Sequence, residues 1–215
     1  MGFFRHAGAY RGPRRRFDSL TMRLVAALGN PGKEFTETRH NAGWRALDRF
    51  CTLWPGGEVS WTMDKKRKAA VARVSDDRGD VLLAKPQTFM NLSGEAVGAL
   101  ASFYKISPHD VILVHDDIDI LLGTARLSVD SGPAGHHGVE SVIAHLGTKK
   151  FPRIRIGIKP PPEVPLGPGA AFVVGRFRQE EEALLAPVID RVAKALVPLL
   201  LGRIEETRKT LAGEG

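Results

Sequence analysis

The sequence predicts an α/β fold: a single domain built on a mostly parallel, mixed and twisted sheet flanked by helices. Three observations predict it. From Met22 onward, short apolar runs alternate with stretches of helical periodicity. Several runs, LVAAL and VILV among them, are apolar at every position, as in strands covered on both faces. The polar clusters follow those runs, where functional residues gather in open α/β sheets. The chain has 215 residues, 43% hydrophobic and 26% charged, enough for one well-buried domain and short for two.

Residues 1–21 carry no apolar period. They are rich in Gly and Arg and hold +4 of the net charge of +7. They read first as a disordered or non-native extension ahead of a start at Met22, then as an Arg-rich targeting peptide, then as a nucleic-acid-binding arm. Leu24–Leu28 reads as a buried strand closed by the turn Gly29-Asn30-Pro31-Gly32. Trp44, Leu47, Cys51 and Trp54 share one face of a helix. Ala69–Val74 and Val81–Ala84 read as strands around a turn at Asp76–Asp80. Ser93–Tyr104 reads as a helix with Val97, Leu100, Ala101 and Tyr104 on one side. Val111–Val114 is a further buried strand, ending before His115, and Ala125–Val129 another. Gly138–Leu146 reads as a helix and Ile154–Ile158 as a strand. Pro160–Gly169 reads as a surface loop. A long helix is expected over Gln179–Leu201, with Leu184, Val188, Val192, Ala195 and Leu199 inward and Pro187 and Pro198 bending it. The domain is expected to span 22–205, with 206–215 as a tail.

The longest greasy stretch, Leu196–Leu201, contains Pro198 and falls far below the about 20 residues of a membrane helix. A single cysteine, Cys51, excludes an internal disulfide and a cysteine metal site and fits a reducing compartment. Without residues 1–21 the net charge is only +3, so an anionic partner is allowed but not demanded.

Five clusters carry possible chemistry. Asn30 and His40 sit on neighbouring loops after the first strand; Asn30 reads as a turn residue or a working amide, and His40 as a structural hydrogen-bonder or a catalyst. Phe89-Met90-Asn91-Leu92-Ser93 joins a strand to a helix, so Asn91 or Ser93 is either a cap or, for Asn91, an amide facing a crevice walled by Phe89 and Met90. His115-Asp116-Asp117 follows the VILV strand. These residues read as metal ligands, as turn charges, or with Asp116 orienting His40 as a general base. Gly135-His136-His137-Gly138 precedes a helix and reads as imidazoles lining a groove, because adjacent side chains diverge too far to chelate one ion. Arg126, Lys149, Lys150, Arg153, Arg155 and Lys159 form a basic series open to phosphate contact or to plain solvation.

Together and in this order, the segments LGNPGKEFTETRHNAGW, KPQTFMNLSGEAV, VHDDID, GHHGVES and FPRIRIGI resemble the bacterial-type peptidyl-tRNA hydrolase family. The resemblance runs from Arg23 to about Leu201 and leaves residues 1–21 outside. It implies an α/β domain without cofactor or metal that hydrolyses the ester between a peptide and the 3′-terminal ribose of tRNA, in the cytoplasm and as a monomer. By that similarity His40 is the base and Asp116 its orienting carboxylate. Asn30 and Asn91 hold the substrate, with Phe35 also at the substrate site; Phe89 and Met90 wall the peptide channel, His136 faces the groove, and His137 stands where a residue helps position water or peptide. Arg126, Arg153 and Arg155 are the cations expected to face tRNA. The chain departs from the family pattern at His137, where Asn is usual, and at Ser128, where Lys is frequent. Pro133 and Asp130 stand in a usually Gly-rich stretch, and Phe35 replaces a common Tyr. Two other readings stay open: an RNA-binding protein on the same fold with lowered catalysis, and a metal-dependent hydrolase using His115, Asp116 and His136.

Overall fold

Leucine, valine and alanine alternate along β1 (Arg23–Ala27), and the alternation decides which side of the sheet each residue supports. Val25 and Ala27 enter one buried cluster, Leu24, Ala26 and Leu28 the other. The structure, a computed structural model, describes residues 22–76, 79–161, 163 and 169–214. The expectations for residues 1–21 lie outside the described residues, as does the centre of the hairpin turn expected at Asp76–Asp80 and most of the Pro160–Gly169 loop.

After β1 the strands are β2 (Thr62–Asp64), β3 (Ala69–Asp76), β4 (Gly79–Pro86), β5 (Val111–Leu121), β6 (Ala125–Ser128) and β7 (Arg153–Lys159). They form one seven-stranded sheet in the order β2-β3-β4-β1-β5-β7-β6. The central four, β4-β1-β5-β7, are parallel, and β2, β3 and β6 add antiparallel edges. The sheet is mixed and mostly parallel at its centre, as expected. Helices cover both faces: α1 (Ala42–Leu53) and α5 (Gln179–Leu200) on one, α2 (Ser93–Phe103) and α3 (His137–Leu146) on the other. Burial of aliphatic side chains such as Leu185, Val188, Val192 and Leu196 on α5 stabilises by about 1.5–3 kcal/mol each.

Glycine sets how closely helix meets sheet. A Cβ on Gly43, in the first turn of α1, would lie 2.6 Å from the Val114 carbonyl and 2.7 Å from that of Leu28. Only hydrogen lets α1 start directly against β1 and β5, and the 3-10 turn Arg39–Asn41 that leads into α1 is thereby held over the strand ends.

Three expectations need correction. β5 does not stop at Val114 but runs to Leu121, with its pairing to β7 shifting register between Asp117 and Leu121. His115, Asp116 and Asp117 are therefore strand residues, tolerated inside because each finds a hydrogen-bond partner. Leu184 is 50% exposed, and its neighbour Leu185 takes the buried position instead. Residues 206–212, expected in a tail, belong to α6 (Ile204–Ala212), which buries Thr207 and Leu211. Pro187 and Pro198 both lie inside α5, which continues through them. The short α4 (Gly169–Val173) was not foreseen.

Candidate active site

The chain leaves β1 through Asn30, and a second asparagine locks that turn. The Asn30 amide N–H donates to Asn41 Oδ1 at 2.8 Å, and Asn41 Nδ2 donates back to the Asn30 carbonyl at 3.0 Å. Asn30 Oδ1 accepts from the Met90 N–H at 2.8 Å. With its oxygen occupied, Asn30 keeps its Nδ2 donors for the cleft that it lines. Asn41 is almost wholly buried. It stands in the same motif as His40, but its supporting role leaves no separate signal in sequence.

Asp116, 1% exposed on β5, gathers two imidazoles. His40 Nδ1 lies 2.9 and 3.0 Å from its two carboxylate oxygens, and His136 Nε2 lies 3.0 Å from Oδ1. Burial alone would raise the Asp116 pKa. The electrostatic pull of His40 and His136 and the hydrogen bonds from both overcome burial and hold it well below the usual carboxylate range. An ionised carboxylate only accepts, so both facing ring nitrogens carry hydrogen. His136 Nδ1 in turn accepts from the Gly138 and Val139 N–H groups at 3.1 and 3.3 Å, capping α3. The tautomers follow: His40 is protonated at Nδ1 with Nε2 free, and His136 is protonated at Nε2. Behind them His115 is fully buried, donates from Nδ1 to the Asp116 carbonyl at 2.6 Å, and packs edge-on to His136 with centroids 4.8 Å apart. Burial first, and then the neighbouring His136, push the His115 pKa well below its ordinary value.

These groups open onto a cleft of about 720 Å³. Phe35, Phe89 and Met90 line it, as do Ile118, residues Gly169, Ala170 and Val173 of α4, and Val174 just after it. The wall is apolar, and the polar groups converge at His40, Asp116 and Asn30, the usual build of a substrate pocket. Every residue expected at the catalytic or substrate position lines this one cleft: His40, Asp116, Asn30, Phe35, Phe89, Met90, Asn91, His136 and His137. The two adjacent histidines diverge, His136 inward and His137 out to the rim, 77% exposed and 3.5 Å from Glu140. The sequence did not single out Asp117, Ile118 or α4 as lining.

The basic residues separate. Arg126 is exposed on β6 beside Arg191 and Arg208 in a shallow depression of about 430 Å³. Arg155 Nε donates to Asp117 Oδ2 at 2.7 Å and keeps 20% of its side chain exposed. Arg153 does not meet its expectation as a tRNA-facing cation. It is 1% exposed, and its Nη2 donates to the Ser131 carbonyl at 2.6 Å, to the Ser131 hydroxyl, and to the Gly132 carbonyl at 3.0 Å. Strand alternation puts Arg153 and Arg155 on one face, but the Ser131–Gly132 loop covers only Arg153. For a metal, the described residues that offer three close ligand atoms are His40, Asp116 and His136, all within 4.8 Å of one another. His115 points its Nδ1 at the backbone and is not part of that set.

A family model described as peptidyl-tRNA hydrolase matches residues 24–214. The peptidyl-tRNA hydrolase of Neisseria meningitidis serogroup A is 39% identical over 193 residues, covering 90% of this chain and 98% of the relative. That of Gloeobacter violaceus is 36% identical over 189 residues, covering 87% and 92%. Among solved structures, the peptidyl-tRNA hydrolase of Acinetobacter baumannii superposes with a TM-score of 0.80 at 29% identity, covering 88% of this chain and 94% of that one.

Proposed function

Because this chain belongs to the peptidyl-tRNA hydrolase family and so hydrolyses the ester between a peptide and its tRNA, we propose that His40 is the general base of that reaction and Asp116 its orienting carboxylate. One observation carries the assignment. Both oxygens of a buried, ionised Asp116 face His40 Nδ1, which leaves Nε2 as the free lone pair of a histidine lining the cleft. An imidazole so held presents Nε2 as the acceptor for the proton of an attacking water.

The steps balance simply. A water molecule attacks the ester carbonyl carbon while His40 Nε2 takes its proton. The carbonyl oxygen becomes a tetrahedral oxyanion, and Asp116 stabilises the imidazolium formed beside it. Asn30 Nδ2 and the Asn91 amide are the donors for the oxyanion or the peptide carbonyl, a type of contact worth about 2.7–4 kcal/mol at one oxyanion donor. The tetrahedral centre collapses by breaking the bond to the ribose oxygen, which leaves with the proton from His40. The peptide lies along the apolar walls of Phe35, Phe89 and Met90, with His136 and His137 at the groove. Arg126 and Arg155 contact tRNA phosphates, so binding weakens with salt. Arg153 is withdrawn from that role and supports the loop before His136. The chain acts in the cytoplasm as a monomer, a reading supported by its translational substrate and its single cysteine. Among the described residues no helix is long and apolar enough to cross a membrane.

The test is peptide release from N-acetyl-aminoacyl-tRNA with EDTA present. Wild type is expected to cleave it and to spare unacylated aminoacyl-tRNA, and His40→Ala to be slower by about a hundredfold or more. Loss of wild-type activity in EDTA would replace the base with a metal held by His40, Asp116 and His136. Binding of tRNA without release would leave only the fold-sharing RNA-binding protein.

A further inference from the structure

We propose that Arg39 is a positioning residue that fixes the α4 wall of the cleft to the turn bearing His40, so that one buried guanidinium sets the width of the peptide channel. The inference rests on reading the apolar walls as the peptide's site. Arg39 precedes His40 in the same 3-10 turn and is 7% exposed. Its Nη2 donates to Glu181 Oε2 at 2.6 Å, with both side chains buried. Glu181 is itself held, because Oε2 also accepts the Arg178 N–H at 2.7 Å at the start of α5.

The rest of Arg39 is spent on the α4 segment. Its guanidinium lies 4.2 Å from the centroid of the Phe172 ring and 5.2 Å from that of Phe177. Its Nη1 reaches the Phe172 carbonyl at 3.5 Å, and its backbone N–H donates to the Gly175 carbonyl at 3.0 Å. Thr38 adds a β-bridge to Arg176. The α4 helix has no fully buried residue, so these contacts hold it together with the partial packing of Phe172 and Val173 against the core. Gly169, Ala170, Val173 and Val174 then line the cleft while Phe172, one position away, faces Arg39 and does not line it. Arg39 touches neither the reacting atoms nor the substrate, so its influence passes through Phe172 to the wall.

The experiment exploits that separation. KM and kcat are measured for Phe172→Leu, Phe172→Tyr and Arg39→Lys on N-acetyl-aminoacyl-tRNA and on a tRNA carrying a longer N-acetylated peptide. Circular dichroism establishes that each variant is folded. Phe172→Leu removes the ring under the guanidinium and leaves the buried Arg39–Glu181 pair intact. It is expected to raise KM about fivefold, more for the longer peptide, with kcat within about twofold of wild type. Arg39→Lys keeps the charge and loses the planar stack, and is expected to change in the same direction. Phe172→Tyr retains the ring and should restore the wild-type KM. An unchanged KM in folded Phe172→Leu and Arg39→Lys would overturn the proposal, as would a fall in kcat at constant KM, which would route the effect through His40. Failure of the base assignment is distinguishable, since it shows as full activity in His40→Ala whatever Phe172→Leu does.

Discussion

Three imidazoles surround Asp116, and each is committed differently. His115 is sealed in and donates to the backbone, His136 donates to the carboxylate and accepts from a helix, and His40 alone keeps a lone pair at the cleft. At this scale the sharpest test is Asp116→Asn. An amide presents two hydrogens where one carboxylate oxygen accepted, and an NH2 turned toward His40 Nδ1 selects the tautomer with its hydrogen on Nε2. With the wrong His40 tautomer, kcat is expected to fall by about a thousandfold to ten-thousandfold while the fold persists. Single-turnover peptide release together with circular dichroism checks both halves. Sequence exposed His40, Asp116 and Asn30 because they stand in motifs. It did not reveal Asn41 as a buried brace, because a supporting amide and a working amide are the same letters.

At the scale of elements, what could be read was what is long and covered. LVAAL and VILV announce buried strands, and Trp44, Leu47 and Cys51 announce the inner face of α1. The missed elements are short or lightly covered: β2 is three residues on the sheet edge, and α4 has no fully buried residue. The inner face of α5 was displaced at Leu184 because two adjacent leucines satisfy the period equally and only packing selects Leu185. Arg153 was misassigned for a related reason: alternation names a strand's face without saying which loop lies over it. Helix contact also yields a prediction. A Cβ on Gly94 would lie 2.1 Å from the Ser141 carbonyl, where α2 meets α3. Gly94→Ala is therefore expected to cost about 1–3 kcal/mol of stability in urea unfolding, and to disturb the Met90–Asn91 wall just upstream.

For the whole molecule, the buried charges decide how stability follows pH. His115 has a lowered pKa in the folded protein, so the unfolded chain binds its proton first as pH falls. Its contribution is fully present above the unfolded histidine value of about 6.5 and is lost below it at about 1.4 kcal/mol per pH unit. Asp116 has the opposite charge and also a lowered pKa. Its contribution is present above the unfolded value of about 3.9 and is lost as pH falls further toward the folded one. Urea unfolding free energies across pH 4 to 8 should therefore decline below about 6.5 and steepen near the carboxylate range. His115→Leu should flatten the first limb and spare the second.

The cap that His136 places on α3 has a bearing on where protons can travel. Asp116 touches two imidazoles and has the outline of a relay, in which a proton arriving at His40 could be handed across the carboxylate. The far station is closed. His136 already carries hydrogen at Nε2, and its remaining lone pair is held by two backbone N–H groups of the helix. To accept a second proton it would have to give up both hydrogen bonds that cap α3. The line therefore ends at Asp116, and a proton drawn from water onto His40 has one productive exit, the oxygen of the departing ribose.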